Sequence, residues 1–218
     1  MSKNESFKNM LIECFGTTVK PGIVAGASMI NPLAGILATA YFASQDSYRY
    51  TRAERNLELA IEDLYSKYEA IESKLLGSQN KKVKEQLFPL FWDYVIDEQE
   101  EEKIQLFVNG VVVAISKEEI NMEKMYVYFD ILKNLRLKEI HYFIDVYINQ
   151  NFKVVEGENS RVDFNPKNLD VAYHNYVLNK LERLGLITLA VISGNGTIDE
   201  HYNITSLGEE LNNYFNTL

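Results

Sequence analysis

Residues 178–208, LNKLERLGLITLAVISGNGTIDEHYNITSLG, specify the architecture of the C-terminal region. Gly185 follows a helical pattern, and glycine at that place commonly ends a helix in the left-handed conformation. Residues 186–192 and 197–204 are predicted strands that flank Ser193-Gly194-Asn195-Gly196, a composition typical of a hairpin turn. Thr205 is a good cap for a final helix. The stretch therefore predicts a helix, a two-stranded hairpin and a second helix.

The helix before this hairpin is predicted over residues 166–184, because Asn165-Pro166 is a typical helix start. This order of elements resembles winged-helix domains of bacterial regulators, and the resemblance implies that this helix faces a partner or the major groove of DNA. Its candidate facing residues are Lys167, His174, Asn175, Lys180 and Arg183. The helix mixes acids and bases and is poor in side chains that read base edges. We therefore expect a protein contact rather than DNA reading.

Residues 46–76 carry an apolar heptad pattern that predicts one long helix with a coiled-coil-like seam. The seam residues are Leu57, Ile61, Leu64, Tyr68 and Ile71. A continuous apolar seam needs a partner. We expect self-association into a homo-oligomer through it, with a partner inside the same chain as the alternative.

The uncharged run GIVAGASMINPLAGILATAYFA, residues 22–43, is long enough to span a membrane once, but it is rich in glycine and alanine. Helices are expected to break near Asn31-Pro32, so an apolar helical hairpin fits the run equally well. Close helix packing is expected at small residues. The residues proposed for a membrane or oligomer contact are Gly22, Gly26, Asn31, Pro32 and Gly35. The expected location is the cytoplasm, with peripheral attachment to the inner membrane or insertion into it as alternatives.

Residues 80–118 predict further helices of the same bundle. Pro89 implies a kink in the first of them. Asp97, followed by Glu100 three residues later, predicts a capping box for the next helix. The predicted fold is mainly α, with an N-terminal helical hairpin (1–44), a helical bundle containing the heptad helix (45–118) and a winged-helix-like α+β module with a two-stranded wing (119–218).

No recognised catalytic or metal-binding motif occurs in the sequence. Cys14 is the single cysteine, which excludes an internal disulfide and a cysteine-based zinc site. The three histidines are scattered, and Asp170 with His174 is the one pair at helical spacing, for which we expect a surface hydrogen bond. We therefore predict a protein that is not an enzyme and that needs no cofactor or metal.

The net charge of −9 disfavours nucleic acid as a partner. Proteins that bind nucleic acid normally present a positive surface, because contacts with phosphates supply the affinity that is independent of sequence. A local basic face on an acidic protein stays compatible with the charge.

The wider order of segments resembles the bacterial proteins grouped as abortive infection alpha, from about residue 22 to about residue 210. The matching segments are Lys103-Ile104-Gln105-Leu106-Phe107-Val108-Asn109-Gly110-Val111-Val112 and Tyr128-Phe129-Asp130-Ile131-Leu132-Lys133-Asn134-Leu135. The resemblance implies phage defence or carriage on a mobile element, with an apolar N-terminal segment and a C-terminal module that binds a partner. The alternatives are a DNA-binding transcription regulator and a soluble interaction protein of a phage or plasmid.

Overall fold

The computed structural model describes residues 47–75, 80–117, 120–144, 169–194 and 197–215. This part of the chain is mostly helical and contains one antiparallel two-stranded sheet. The coarse prediction of a mainly α protein with a short hairpin is confirmed. The predicted N-terminal hairpin over residues 1–44 lies outside the described residues.

The chain divides into two compact units. The first unit extends to Asn134 and includes the residues from Tyr214 onward, and the second covers Leu135–Asn213. The sequence analysis placed residues 119–134 in the C-terminal module. In the structure the helix Met122–Asn134 belongs to the first unit, because its apolar side is buried against other helices of that unit.

The first unit is a helical bundle built on one long helix. Its elements are α1 (Ser47–Leu75), α2 (Asn80–Lys82), a π-helical turn (Val83–Leu87), α3 (Phe88–Asp97), α4 (Lys103–Ser116) and α5 (Met122–Asn134). The predicted helix over 46–76 thus agrees closely with α1. The apolar side of α1 packs on α3 and α4.

Aromatic rings fill the middle of this bundle. Phe107 of α4 and Phe129 of α5 meet edge to face, with ring centroids 5.3 Å apart. Tyr94 of α3 meets Phe129 in the same way at 5.5 Å. Such pairs add to the stabilisation from buried apolar area. The core therefore joins α3, α4 and α5 into one body.

A π-helical turn precedes α3 close to Pro89, where the sequence predicts a kink. The Phe88 N–H bonds to the carbonyl oxygen of Val83, five residues earlier, and Pro89 stands in the first turn of α3. Proline has no N–H to donate and its ring crowds the carbonyl of the preceding turn in a regular helix, so a wider turn accommodates it.

The predicted capping box of Asp97 and Glu100 is wrong. Asp97 is the last residue of α3, and α4 begins only at Lys103. The Glu98 carboxylate accepts hydrogen bonds from the backbone N–H groups of Gln99 and Glu100 instead, at 2.7 and 3.0 Å. A neighbouring acid therefore stabilises the turn, because its side chain points inward whereas that of Asp97 is exposed.

The second unit contains α6 (Leu137–Phe143), α7 (Leu169–Arg183), β1 (Ile187–Gly194), β2 (Thr197–Ile204) and most of α8 (Ser206–Phe215). The strands pair in antiparallel register from Ile187 with Ile204 to Gly194 with Thr197. Both strands and the start of α8 agree with the sequence prediction.

Two residues at the ends of helices connect α7, the hairpin and α8. Gly185 has φ of 72°, a left-handed conformation that favours glycine. Thr205 donates its hydroxyl hydrogen to the Gly185 carbonyl at 2.5 Å and accepts from the Gly208 N–H at 3.1 Å. The predicted stop at Gly185 and the predicted cap at Thr205 are both confirmed.

Candidate partner-binding surface

On the exposed face of α7, the residues that reach solvent differ from those that the sequence analysis selected. Val177 and Leu181 are buried and fix which side of the helix faces the interior. Tyr173 and Tyr176 are exposed on this helix, with 47% and 55% of their surface accessible. We call Tyr173, Tyr176, Asn179 and Arg183, all exposed, the α7 face.

The two tyrosines form one aromatic surface. Their ring centroids are 6.5 Å apart and the ring planes differ by 27°, as in a stacked pair. The spacing of three residues places them on adjacent turns of the helix, so the stack is fixed by the helix itself. Large exposed aromatic side chains held in this way are the groups that most often anchor protein interfaces.

Lys180, a predicted facing residue, points to the inside of the unit. Its Nζ lies 2.6 Å from Glu139 Oε2, and the Glu139 side chain is almost completely buried. The same carboxylate oxygen accepts a hydrogen bond from the Arg136 backbone N–H at the start of α6. The Lys180 Nζ also lies 5.8 Å from the Tyr176 ring centroid, close enough for a cation–π contact. The Lys180 ammonium group therefore pairs with Glu139 within the second unit.

His174, another predicted facing residue, is half-buried against α6. Its Nδ1 shares a hydrogen bond with the Tyr142 hydroxyl at 3.1 Å, and the two rings meet edge to face at 5.4 Å. The expected hydrogen bond with Asp170 involves a side chain outside the part that the structure describes. Tyr142, 32 residues earlier in the chain, is the partner.

Burial sets the protonation of this pair. It lowers the pKa of His174 below its ordinary value and raises the pKa of Tyr142 to about 12. At neutral pH the phenol therefore keeps its proton and the imidazole is neutral. The pair has neither a phenolate nucleophile nor a charged acid, so its geometry serves packing between α6 and α7.

The other predicted facing residues take three different positions. Asn175 is half-buried and Arg183 is exposed, whereas Lys167 lies outside the described residues. Arg183 is thus the predicted residue that belongs to the α7 face. The tyrosines were missed because the candidates were chosen for polarity. A helical wheel anchored on Val177 and Leu181 would have placed Tyr176 on the outside.

The predicted oligomer seam of α1 is buried within the first unit. Its residues have between 0% and 6% of their surface exposed: Leu57, Ile61, Leu64, Tyr68 and Ile71. They contact α3 and α4, which is the internal alternative of the sequence analysis. A second chain cannot reach these side chains in this structure, so self-association stays a prediction that needs another surface.

The predicted membrane or oligomer residues Gly22, Gly26, Asn31, Pro32 and Gly35 lie outside the described residues. Among the helices that the structure describes, none is long and apolar enough to cross a membrane. Within the same ranges, no three side chains of the metal-binding types come together.

Comparison of the chain with protein-family models, curated proteins and solved structures gave no match.

Proposed function

We propose that this chain is a non-enzymatic phage-defence or mobile-element protein, similar to abortive infection alpha proteins, whose winged-helix-like C-terminal unit binds a protein partner through the α7 face. The observation that carries the proposal is the exposed Tyr173–Tyr176 stack on the helix before the hairpin. The order of α7, β1, β2 and α8 supports a winged-helix-like reading of this unit.

A protein is favoured over DNA as the partner because of the chemistry of the α7 face. Lys180 is paired with Glu139, which leaves Arg183 as the exposed cation among the predicted facing residues that the structure describes. The whole chain carries a net charge of −9, which repels phosphates. Tyrosine offers an apolar ring and a polar hydroxyl at little entropic cost, a combination enriched in protein interfaces.

The proposed role of residues 22–43 is to act at a membrane or at an oligomer interface when the partner is bound. The run is uncharged but only weakly hydrophobic, so we expect insertion or assembly to depend on a trigger. A charge at the centre of a membrane helix costs about 2.5–3.5 kcal/mol on insertion scales. Ala34→Asp should therefore abolish growth arrest while the melting temperature is unchanged. A lowered melting temperature in a protein that was never toxic would contradict the membrane role.

The proposal for α7 is tested by phage challenge of cells that express the chain. Tyr173→Ala/Tyr176→Ala should abolish protection, since truncation of two interface anchors weakens binding by about 10- to 100-fold. The melting temperature should stay within about 2 °C, because both side chains are exposed. The matched control is Leu59→Ala/Tyr65→Ala, which truncates two partly exposed side chains of α1. This variant should keep full protection.

Two results would contradict this function. A wild-type chain that protects against no phage of a broad panel would remove the defence role. Specific retention of the neighbouring promoter DNA in a gel shift, lost in the α7 double variant, would instead show the transcription regulator.

A further inference from the structure

Helix α5 presents large apolar side chains to solvent on the first unit. Tyr126 and Val127 have 51% and 45% of their surface exposed, although Met125, Tyr128 and Phe129 of the same helix are buried. A helix of a bundle normally directs its apolar residues toward the core. Neighbouring apolar residues on an exposed face often mark an interaction site.

Carboxylates of α3 and α5 lie near Tyr94, and Tyr126 lies near the same side chain. Asp130 lies one helical turn after Tyr126 and accepts a hydrogen bond from the Tyr94 hydroxyl of α3. Asp93 and Asp97, both exposed, lie in the last two turns of α3. The Tyr94–Asp130 hydrogen bond therefore joins the two helices into one surface. We call Asp93, Asp97, Tyr126, Val127 and Asp130 the α3–α5 face.

Lys133 is the cation that the structure places against this face. Its Nζ lies 3.5 Å from Asp97 Oδ2 and 5.3 Å from the centroid of the Tyr94 ring. One lysine beside three carboxylates leaves a net negative face. The lysine and the three carboxylates all lie on α3 or α5, whose other sides are packed in the core, so the charges are held in fixed positions.

Asp93 and Asp97 occupy unfavourable positions within their own helix. Carboxylates at the C-terminal end of a helix meet the negative end of its dipole. Partial desolvation and the nearby charge of Asp97 both raise the pKa of Asp93, and Lys133 lowers it only in part. Acids that are unfavourable within the chain become favourable when a cation approaches, and such local conflicts are expected at functional surfaces.

We propose that the α3–α5 face docks a lysine- or arginine-rich helix of a protein partner. Cations of that helix pair with Asp93, Asp97 and Asp130, and its apolar side chains pack on Tyr126 and Val127. This surface lies on the first unit and is separate from the proposed role of the α7 face.

The proposed occupant is a different chain, because the lysine cluster 81–84 of a second copy fits this face poorly. The exposed lysine of the cluster 81–84, Lys81, already faces Glu85 at 4.0 Å. A second copy would bring Glu85 toward the acidic face together with the lysine. Nucleic acids and anionic lipids are repelled by the same carboxylates. A basic protein helix satisfies both the charge and the apolar pair.

The test measures binding of a fluorescent, helix-forming peptide of lysine, leucine and alanine to the full-length chain by anisotropy at low salt. Asp93→Asn/Asp97→Asn should weaken binding about tenfold, since two favourable charge contacts are lost. Glu62→Gln/Glu182→Gln removes the same charge from other exposed positions and should change binding less than about twofold. Tyr126→Ala should weaken it about fivefold, and Leu59→Ala should leave it unchanged.

Equal weakening by the two double variants would show attraction to net charge alone and would overturn the proposal. Sedimentation of the chain without peptide tests whether a second copy occupies this face. A wild-type dimer that becomes monomeric in Asp93→Asn/Asp97→Asn would assign the face to a second copy and would also overturn it. Unchanged melting of each variant ensures that these results report on the surface.

Discussion

Each unit of the chain contains a lysine–glutamate pair, and the two pairs differ in how far they are buried. In the first unit Lys103 and Glu98 lie 2.8 Å apart, with 2% and 5% of their side chains exposed. In the second unit Lys180 and Glu139 lie 2.6 Å apart, and Lys180 stays 21% exposed. In both pairs the carboxylate also accepts a hydrogen bond from a backbone N–H group.

The more buried pair stabilises the interior of the first unit, whereas the partly exposed pair supports a helix whose outer face is accessible. Lys103 lies among α3, α4 and α5 and also donates to the Lys133 carbonyl at 3.5 Å, and Asn56 of α1 donates to the Val95 and Glu98 carbonyls nearby. These bonds fix the α3–α4 turn in the interior. The Lys180 pair lies at the edge of α7, beside Tyr176, and holds the helix while its outer face stays open.

The largest expected effect is the loss of the fully buried pair. Lys103→Met leaves Glu98 as an unpaired buried charge, which costs about 3–5 kcal/mol of the free energy of unfolding. The measurement is urea denaturation followed by circular dichroism. Lys133→Met removes an exposed lysine and should cost less than about 1 kcal/mol. Similar costs for the two variants would break the comparison.

Lys180→Met should have a smaller effect than Lys103→Met. The cost expected for losing a hydrogen bond to a charged group is about 1.5–3 kcal/mol, and Glu139 keeps its bond from the Arg136 N–H. Urea denaturation, followed by a spectroscopic signal from the hairpin of the second unit, measures this loss in the free energy of unfolding. A cost above that of Lys103→Met would contradict the conclusion that the more buried pair contributes more to stability.

Thr205→Ala should cost about 1 kcal/mol, because it removes the cap of α8 and the bond to the Gly185 carbonyl. Thr205→Ser keeps the hydroxyl group and should restore most of the stability. Thermal melting of the three proteins measures both effects. Equal melting of the alanine and serine variants would show that the hydroxyl does not stabilise this junction.

The smallest effect is a pH dependence of the second unit. Burial lowers the pKa of His174, so its neutral form is favoured in the folded chain. The resulting stability is present above the ordinary pKa of about 6.5 and is lost as the pH falls through the lower folded value. Unfolding measured from about pH 7 to about pH 5 should show a decline that is reduced in His174→Gln. An identical slope in both proteins would contradict this role of His174.

Local patterns predicted the elements that depend on neighbouring residues. The heptad repeat gave the extent of α1, and the turn composition at 193–196 gave the hairpin. Gly185 and Thr205 were identified from capping chemistry alone. Each of these features is determined by interactions over a few residues, which a single sequence records.

Partners that are distant in the sequence were not predicted. The α1 seam specified an apolar face without specifying that α3 and α4 of the same chain cover it. Glu139 and Lys180, separated by 41 residues, gave no sequence signal of their pairing. That pairing removed Lys180 from the predicted partner-facing residues, whereas the position of Tyr176 follows from the burial of Val177 and Leu181.

The most direct test of the central claim is photocrosslinking in phage-infected cells. A benzophenone amino acid replaces Tyr176 on the α7 face or Glu62 on α1, both exposed positions. We predict one protein adduct of defined mass from position 176 and none from position 62. Adducts with DNA alone at position 176, or the same set of proteins at both positions, would contradict the assignment of α7 as a protein-binding surface.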